Sequence, residues 1–268
     1  MANPKKQNRK QEEELRTLIQ KRRRILTMAV SIIIAVVVVT GVIIFSGVFN
    51  SSTSKSNTVN SGQFIKISSS DVSPQGGVNI YFLSWQGCPI GAADSWVVYN
   101  YIHTHDPSLS NSTIYKEMHF SDPNESPTNI PGLLFNNFSY ILSGISYHFH
   151  VLYVYGEYLP PDGQSSINHG VSVLDAKFPS SISSIFVKYE TQYPTAGLSG
   201  QAIASYAGHL TSSFIITGPS GTYYLEGEIY NPAAISGKQP GVLINDLSAY
   251  VGITTGTTEF GNTVSSVV

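Results

Sequence analysis

Residues 78–105, VNIYFLSWQGCPIGAADSWVVYNYIHTH, decide the fold. VNIYFLSW (78–85) is an unbroken run of apolar, β-branched and aromatic residues, the composition of a strand buried on both faces. Gln86-Gly87 interrupts it. From Pro89 to about His105 the period changes: Ala93, Trp96, Val97 and Tyr101 fall at helical spacing, and Pro89 takes the first-turn position, where a missing N–H costs nothing. Cys88, the single cysteine of the chain, therefore stands where a buried strand hands over to a helix. His103 and His105 close that helix at the end where a cation suits the dipole. A lone cysteine excludes an intramolecular disulfide framework and Cys-rich zinc or iron–sulfur sites.

Working outward, residues 106–146 are rich in Asn, Ser, Pro and Gly and read as a long irregular insertion. YHFHVLYVYG (147–156) is the next strand, and SSISSIFVKYETQ (180–192) a helix. SFIIT (213–217) and TYYLEGEIY (222–230) are strands joined by a hairpin turn at Gly218-Pro219-Ser220-Gly221. A last amphipathic helix is expected near 240–252, with Val242, Leu243, Leu247 and Val251 on one face. The order is β-α-β-α-β-β-α, an α/β domain over 78–254 followed by a flexible tail, 255–268. Upstream, 50–63 reads as a Ser/Asn/Thr tether and 64–77 as an extended approach ended by Gly76-Gly77. There is no internal repeat.

The charge is divided unevenly. Of 15 basic and 17 acidic residues among 268, nine bases (Lys5, Lys6, Arg9, Lys10, Arg16, Lys21, Arg22, Arg23, Arg24) and three acids lie in residues 1–24, a net +6. The remaining six bases and 14 acids give −8, with no Arg, so nucleic acid is not an expected partner. Ile25–Phe49 runs 25 residues without a charge, enough to span a bilayer core of about 30 Å, and is too long for a cleaved signal peptide. The cluster Lys21–Arg24 abuts the span, so positive-inside logic keeps residues 1–24 in the cytoplasm and sends everything after about residue 50 outside. Four Asn-x-Ser/Thr acceptors, Asn50, Asn111, Asn124 and Asn137, agree with that address. Only 20 of the 219 residues from Asn50 onward are charged, against about a quarter in ordinary soluble domains. An acidic exterior would explain that scarcity; so would compositional drift.

YFLSWQGCPIGAADSWVVYNYI resembles the active-site segment of the archaeal membrane-anchored, thioredoxin-like family known as domain of unknown function 929. Its pattern is a hydrophobic strand, Gly-Cys-Pro-x-Cys-Ala, then Ser/Arg-Trp and an aliphatic helix; Gly87, Cys88, Pro89, Ala92, Ser95 and Trp96 match. IPGLLFNNFSYILSGISYHFHVLYVYGEYLP is similar to the region between the cysteine helix and the second core strand, and the likeness extends over about 64–254 and to the anchor. The resemblance implies a thioredoxin-like fold, with a long insertion after the first helix and one transmembrane helix ahead of it. It also makes Cys88, Pro89, Gly91 and Trp96 the motif positions. Two departures stand out. Gly91 takes the place of the second cysteine, and His209-Leu210-Thr211-Ser212 has no proline where thioredoxin relatives place one facing the sulfurs.

At a helix N-terminus the Cys88 thiolate is expected to have a lowered pKa, although Asp94 opposes it. It could attack a disulfide, but resolution needs a second thiol. A working monothiol and a packed relic are the two readings, and the relic is favoured. His148 and His150, two apart on a strand, point to one face and could chelate a metal with Glu157 or His119; a solvated sheet face is the favoured alternative, and no metal or cofactor is expected. Trp85 and Trp96 flank the cysteine as core residues. Asp122, Glu125, Glu157 and Asp162 are scattered and form no glycosidase pair. Three functions follow: a non-enzymatic module that binds exported or cell-surface proteins at the membrane, a monothiol oxidoreductase or isomerase, or a pilin-like envelope subunit. The module is preferred, because the fold signals persist without the second thiol.

Overall fold

The computed structural model describes residues 58–160 and 163–268. The basic tip at 1–24, the span at 25–49, Asn50 and Asp162 lie outside them, as does the tether up to residue 57. In chain order the elements are β1 (Ile65–Ser68), β2 (Val78–Ser84), α1 (Pro89–His105), α2 (Asn111–Ile114), β3 (Tyr115–Phe120), β4 (Pro131–Phe135), β5 (Phe138–Leu142) and β6 (Ile145–Tyr153). Then follow α3 (Gln164–Lys177), α4 (Ser180–Thr191), α5 (Ile203–Ala207), β7 (Ser213–Gly218), β8 (Gly221–Glu226), α6 (Pro240–Leu243) and α7 (Val251–Ser265).

All seven residues of β2 are buried, as its apolar run requires. It pairs in parallel with β6 and antiparallel with β7, at the middle of a six-stranded sheet of order β1-β8-β7-β2-β6-β5. The two-residue period of the strand then divides its side chains between two cores. Val78, Ile80 and Phe82 pack with α1 and α7, where the Phe82 ring stacks on Phe214 with centroids 4.4 Å apart. Tyr81, Leu83 and Trp85 pack on the other face with Ile167 and Leu174 of α3 and Ile182 and Phe186 of α4. The result is a mixed α/β domain with helices on both faces of the sheet.

The helix α1 begins and ends where the sequence places it, but it has no solvated stripe: Asp94, Ser95, Val98 and Tyr99 are buried along with the expected residues. The reason is the insertion, which is ordered where an irregular segment is expected. β3 and β4 form a separate antiparallel hairpin that covers the far side of α1. Trp96 Nε1–H donates to the Pro131 carbonyl at 2.8 Å, and the Leu133 N–H donates to Ser95 Oγ at 2.9 Å. A Cβ on Gly132 would come within 2.6 Å of the Ala92 Cα, so glycine permits this close approach. Next in the chain, β5 pairs with β6 at the sheet edge.

Other expectations are corrected. The tether stops before Val59, which is 1% exposed and bridges to Thr195. The helix α3 is absent from the sequence reading, although Ile167, Val171 and Leu174 have helical spacing. The final helix does not occupy 240–252: that stretch holds α6, a 3-10 turn at Leu247–Ala249 and only the first two residues of α7, and Val242 and Val251 are exposed while Leu243 and Leu247 are buried. The segment expected as a flexible tail is α7, which buries Ile253, Phe260, Val264 and, just past its end, Val267. Its Gly256 leaves room for Val97 Cγ2 of α1, which would lie 2.9 Å from an added Cβ. Thr and Gly hide this helix by their low propensity, and tertiary packing overrides them. No helix among the described residues is long and apolar enough to cross a membrane.

Because Phe260 is wholly buried between Phe64, Tyr101 and Phe214, Phe260→Ala is expected to cost about 3–5 kcal/mol. A urea midpoint unchanged by that substitution would contradict the integral role of α7.

Candidate functional site

The carboxyl end of β2 and the start of α1 bring Cys88, Pro89 and Gly91 together. Cys88 has extended backbone angles and is the N-cap of α1: its Sγ accepts the Gly91 N–H at 3.3 Å, and its own N–H donates to the Trp85 carbonyl at 3.1 Å. Pro89 follows in the first turn. Cys88 as a residue is 4% exposed and belongs to the α3–α4 core. Burial pushes the thiol up to about 12, and Asp94 adds in the same direction. The Gly91 and Ile90 N–H groups and the Ser84 hydroxyl pull it down without offsetting the loss of water. The lowered pKa expected from the helix terminus is therefore reversed: desolvation of the thiolate exceeds the dipole.

Gly91, where a second thiol would stand, has no room for one. A Cβ there would run into the Ser84 hydroxyl, and would lie 3.2 Å from Ser212 Oγ. Both serines are fully buried, and the Ser212 hydroxyl has no hydrogen-bond partner among the described residues. Ser212 ends the loop 209–212, which the fold brings against the start of α1. That loop is pinned by the Leu210 N–H donating to the Tyr155 hydroxyl at 3.1 Å and the Thr211 N–H donating to Glu190 Oε2 at 2.9 Å. Sequence reasoning missed Ser84 and Ser212 because a serine at the end of an apolar run carries no signal of what it faces.

Buried acids surround this centre. Asp94 accepts the Ile229 N–H at 2.9 Å, its other oxygen is unpartnered among the described residues, and burial holds its carboxyl well above the usual range. Behind the loop, Glu190 and Glu226 are both fully buried. The Thr195 hydroxyl donates to Glu226 at 2.6 Å. Burial raises both carboxyls, Glu226 to about 7 with Glu190 adding to the shift. Glu226 is one of two acids, with Glu228, in TYYLEGEIY, and the sequence reading singled out neither. Trp96 is a core residue, as above, and Trp85 is buried with its ring edge-on to His209 at 5.8 Å.

His148 and His150 do share a face, with ring centroids 6.3 Å apart. His148 pairs with Ser139 Oγ at 2.7 Å; His150 donates to Asn79 Oδ1 at 3.1 Å and stacks on Tyr81. Burial, then His148, lowers His150 to about 4. Glu157 and His119 are not with them but line a separate cleft, and no group of three His, Cys, Asp or Glu side chains gathers as metal ligands among the described residues. His105 Nδ1–H donates to the Tyr101 carbonyl at 2.8 Å, and His103 stacks on Tyr99. Asn111, Asn124 and Asn137 are exposed. The separate cleft, of about 490 Å³, lies beside the cysteine turn and is lined by Gln86, Glu117, His119, Phe120, Glu157 and Tyr158 among others. It meets the turn directly, since Asp122 N–H donates to the Gly87 carbonyl at 2.8 Å.

The family model described as domain of unknown function (DUF929) matches residues 63–264. The chain belongs to this family. The match takes in the cysteine turn, the hairpin that covers α1, and α7 almost to its end. No curated protein and no solved structure matches. Membership of DUF929 thus adds breadth to the site without adding a reaction.

Two outcomes follow. Gly91→Cys is expected to destabilise by about 1–3 kcal/mol through overpacking and to remain reduced under mild oxidation, and Ser84→Gly is expected to restore part of the loss. A folded Gly91→Cys chain that closes a disulfide to Cys88 would contradict the packing. For Glu226 the raised folded pKa means that the folded chain holds a proton the unfolded chain releases. Its contribution is therefore complete below about pH 4.5 and is lost as pH rises through about 7. The half-buried histidines His119 and His150 have the opposite sign, so the difference between wild type and Glu226→Gln isolates the acid. Between pH 5 and 8 the Gln variant is expected to gain roughly 1–2 kcal/mol relative to wild type in urea melts. A difference independent of pH would refute the assignment.

Proposed function

We propose that this chain is a membrane-anchored, extracytoplasmic, thioredoxin-like module that binds exported or cell-surface proteins and does no thiol chemistry. The thioredoxin-like reading is supported by the succession β2, α1, β6, α3–α4, β7, β8, α7, which follows the β-α-β-α-β-β-α order with the cysteine at the first strand–helix junction. The anchor is supported by the 25-residue uncharged run behind a basic cluster, and the exterior address by the exposed Asn111, Asn124 and Asn137 acceptors.

One observation carries the redox-silent part: the space of the second thiol is occupied by the Ser84 hydroxyl. A dithiol cycle needs a resolving sulfur within bonding reach, and none is present. The monothiol alternative draws on Cys88 Sγ accepting a helix N–H, the usual stabilisation of a thiolate. It also requires a thiolate at the surface, which burial opposes. What the frame retains is a hydrogen-bonded loop cluster at the end of the central strands, a suitable platform for a partner.

The test uses the full chain in its own membrane. Exported proteins are trapped with an electrophile at low pH and resolved on a non-reducing gel, for wild type and Cys88→Ala. The same adduct-free pattern is expected for both. A reproducible ladder in wild type that vanishes in Cys88→Ala would overturn the reading in favour of the monothiol.

A further inference from the structure

We propose that the cleft beside the cysteine turn is a binding site for a cationic side chain, an arginine or lysine presented by a polypeptide partner. This rests on the reading of the chain as a protein-binding module and names the chemistry that such a partner must bring.

Most of the cleft lining comes from three segments, with Gln86 and Leu134 completing it. Glu117, His119 and Phe120 come from β3, Ser121, Pro123 and Asn129 from the loop after it, and Glu157 and Tyr158 from the loop after β6. Two carboxylates therefore reach it from separate elements, and no Lys or Arg lines it. In a domain with so few charges this is a local excess of negative potential, which a cleft with low-dielectric walls concentrates. Both acids are exposed, and the Tyr158 hydroxyl donates to Glu157, which holds the ring and the carboxylate side by side. The nearest base along the strand, Lys116, places its ammonium over the Tyr153 ring, 5.9 Å from the centroid, and is outside the lining. His119 adds no positive charge near neutrality, because burial lowers its pKa. Asp122, the other acid nearby, is occupied as a local acceptor for the Asn124 backbone and side-chain N–H groups, at 2.8 and 2.9 Å.

The apolar part of the lining points the same way. Tyr158 is 59% exposed and Phe120 36%. An aromatic face beside a carboxylate suits a guanidinium, which stacks on the ring and donates in pairs to the acid. A neutral sugar would use the same rings but would gain little from two carboxylates in a lining without Lys or Arg. The volume of about 490 Å³ accommodates one long side chain with part of its backbone.

The probe is the blocked tripeptide Ac-Ala-Arg-Ala-NH2, followed by saturation-transfer NMR on the full chain in detergent. The isosteric citrulline tripeptide and maltose serve as comparisons. The arginine side-chain protons are expected to receive saturation, with binding about tenfold weaker for the citrulline peptide and about tenfold weaker in Glu117→Gln/Glu157→Gln. Tyr158→Ala is expected to weaken it severalfold. Urea midpoints of these surface variants check that they fold. Equal binding of the two tripeptides, indifference to the double substitution, no binding of the arginine peptide, or maltose binding in its place would each overturn the proposal. Cys88→Ala is expected to bind the peptide as wild type does. If the peptide fails while Cys88 forms no adducts, the cleft assignment falls and the module reading stands. A Cys88-dependent ladder sinks the module reading whatever the cleft binds.

Discussion

The burial of β2 on both faces is the constraint from which the rest of the domain follows. Each of its side chains must be covered, and a strand alternates its side chains, so helices are required on both sides of the sheet. A one-residue slip would exchange the two sets, placing Phe82 among the α3–α4 residues and Tyr81 against α1, so the register is fixed by packing. The strand ends at Ser84, and α1 starts five residues later. The turn between them is therefore held from below by the sheet, on one flank by α3–α4 and on the other by the hairpin of β3 and β4.

That confinement explains the chemistry of the site. A helix N-terminus offers a sulfur N–H donors and a favourable dipole, and Cys88 uses one such N–H. The same crowding removes water, and the thiolate loses more hydration than it gains from the donors. Ser84 and Gly91 complete the closure: the strand supplies a hydroxyl and the helix supplies the absence of a side chain. The buried acids nearby fit the same picture, since Asp94, Glu190 and Glu226 are held in their neutral direction rather than paired with bases.

Much of the frame was legible in the sequence where burial and period agree. The run 78–85, the helix from Pro89 to His105 and the hairpin about Gly218–Gly221 all lie where pattern and turn chemistry place them. The elements missed are those whose stability is tertiary. α7 is built from Thr and Gly around a few deep anchors such as Phe260, and β3 and β4 are five or six residues long between Pro- and Asn-rich turns, so neither has a strong local signal. At the candidate site, the sequence placed Cys88 at the junction of strand and helix, and the resemblance made Pro89, Gly91 and Trp96 its motif positions. What it lacked was the surroundings: the hydroxyl of Ser84 under Gly91, and the walls that separate Cys88 from water, are long-range facts of packing. The cleft was hidden for the same reason, since Glu117, Phe120, Glu157 and Tyr158 are brought together by an insertion that reads as irregular.

The central claim is that packing has taken Cys88 out of chemistry. It is tested most directly by the rate of iodoacetamide alkylation of Cys88 against pH, followed by mass spectrometry on the folded chain and on the same chain in urea. The thiolate is the reacting form, so the rate reports both ionisation and access. The folded rate is predicted to stay about a hundredfold or more below the unfolded rate from about pH 6 to 9. A folded thiol that is alkylated at about pH 7 as fast as the unfolded one, or faster, would contradict the account.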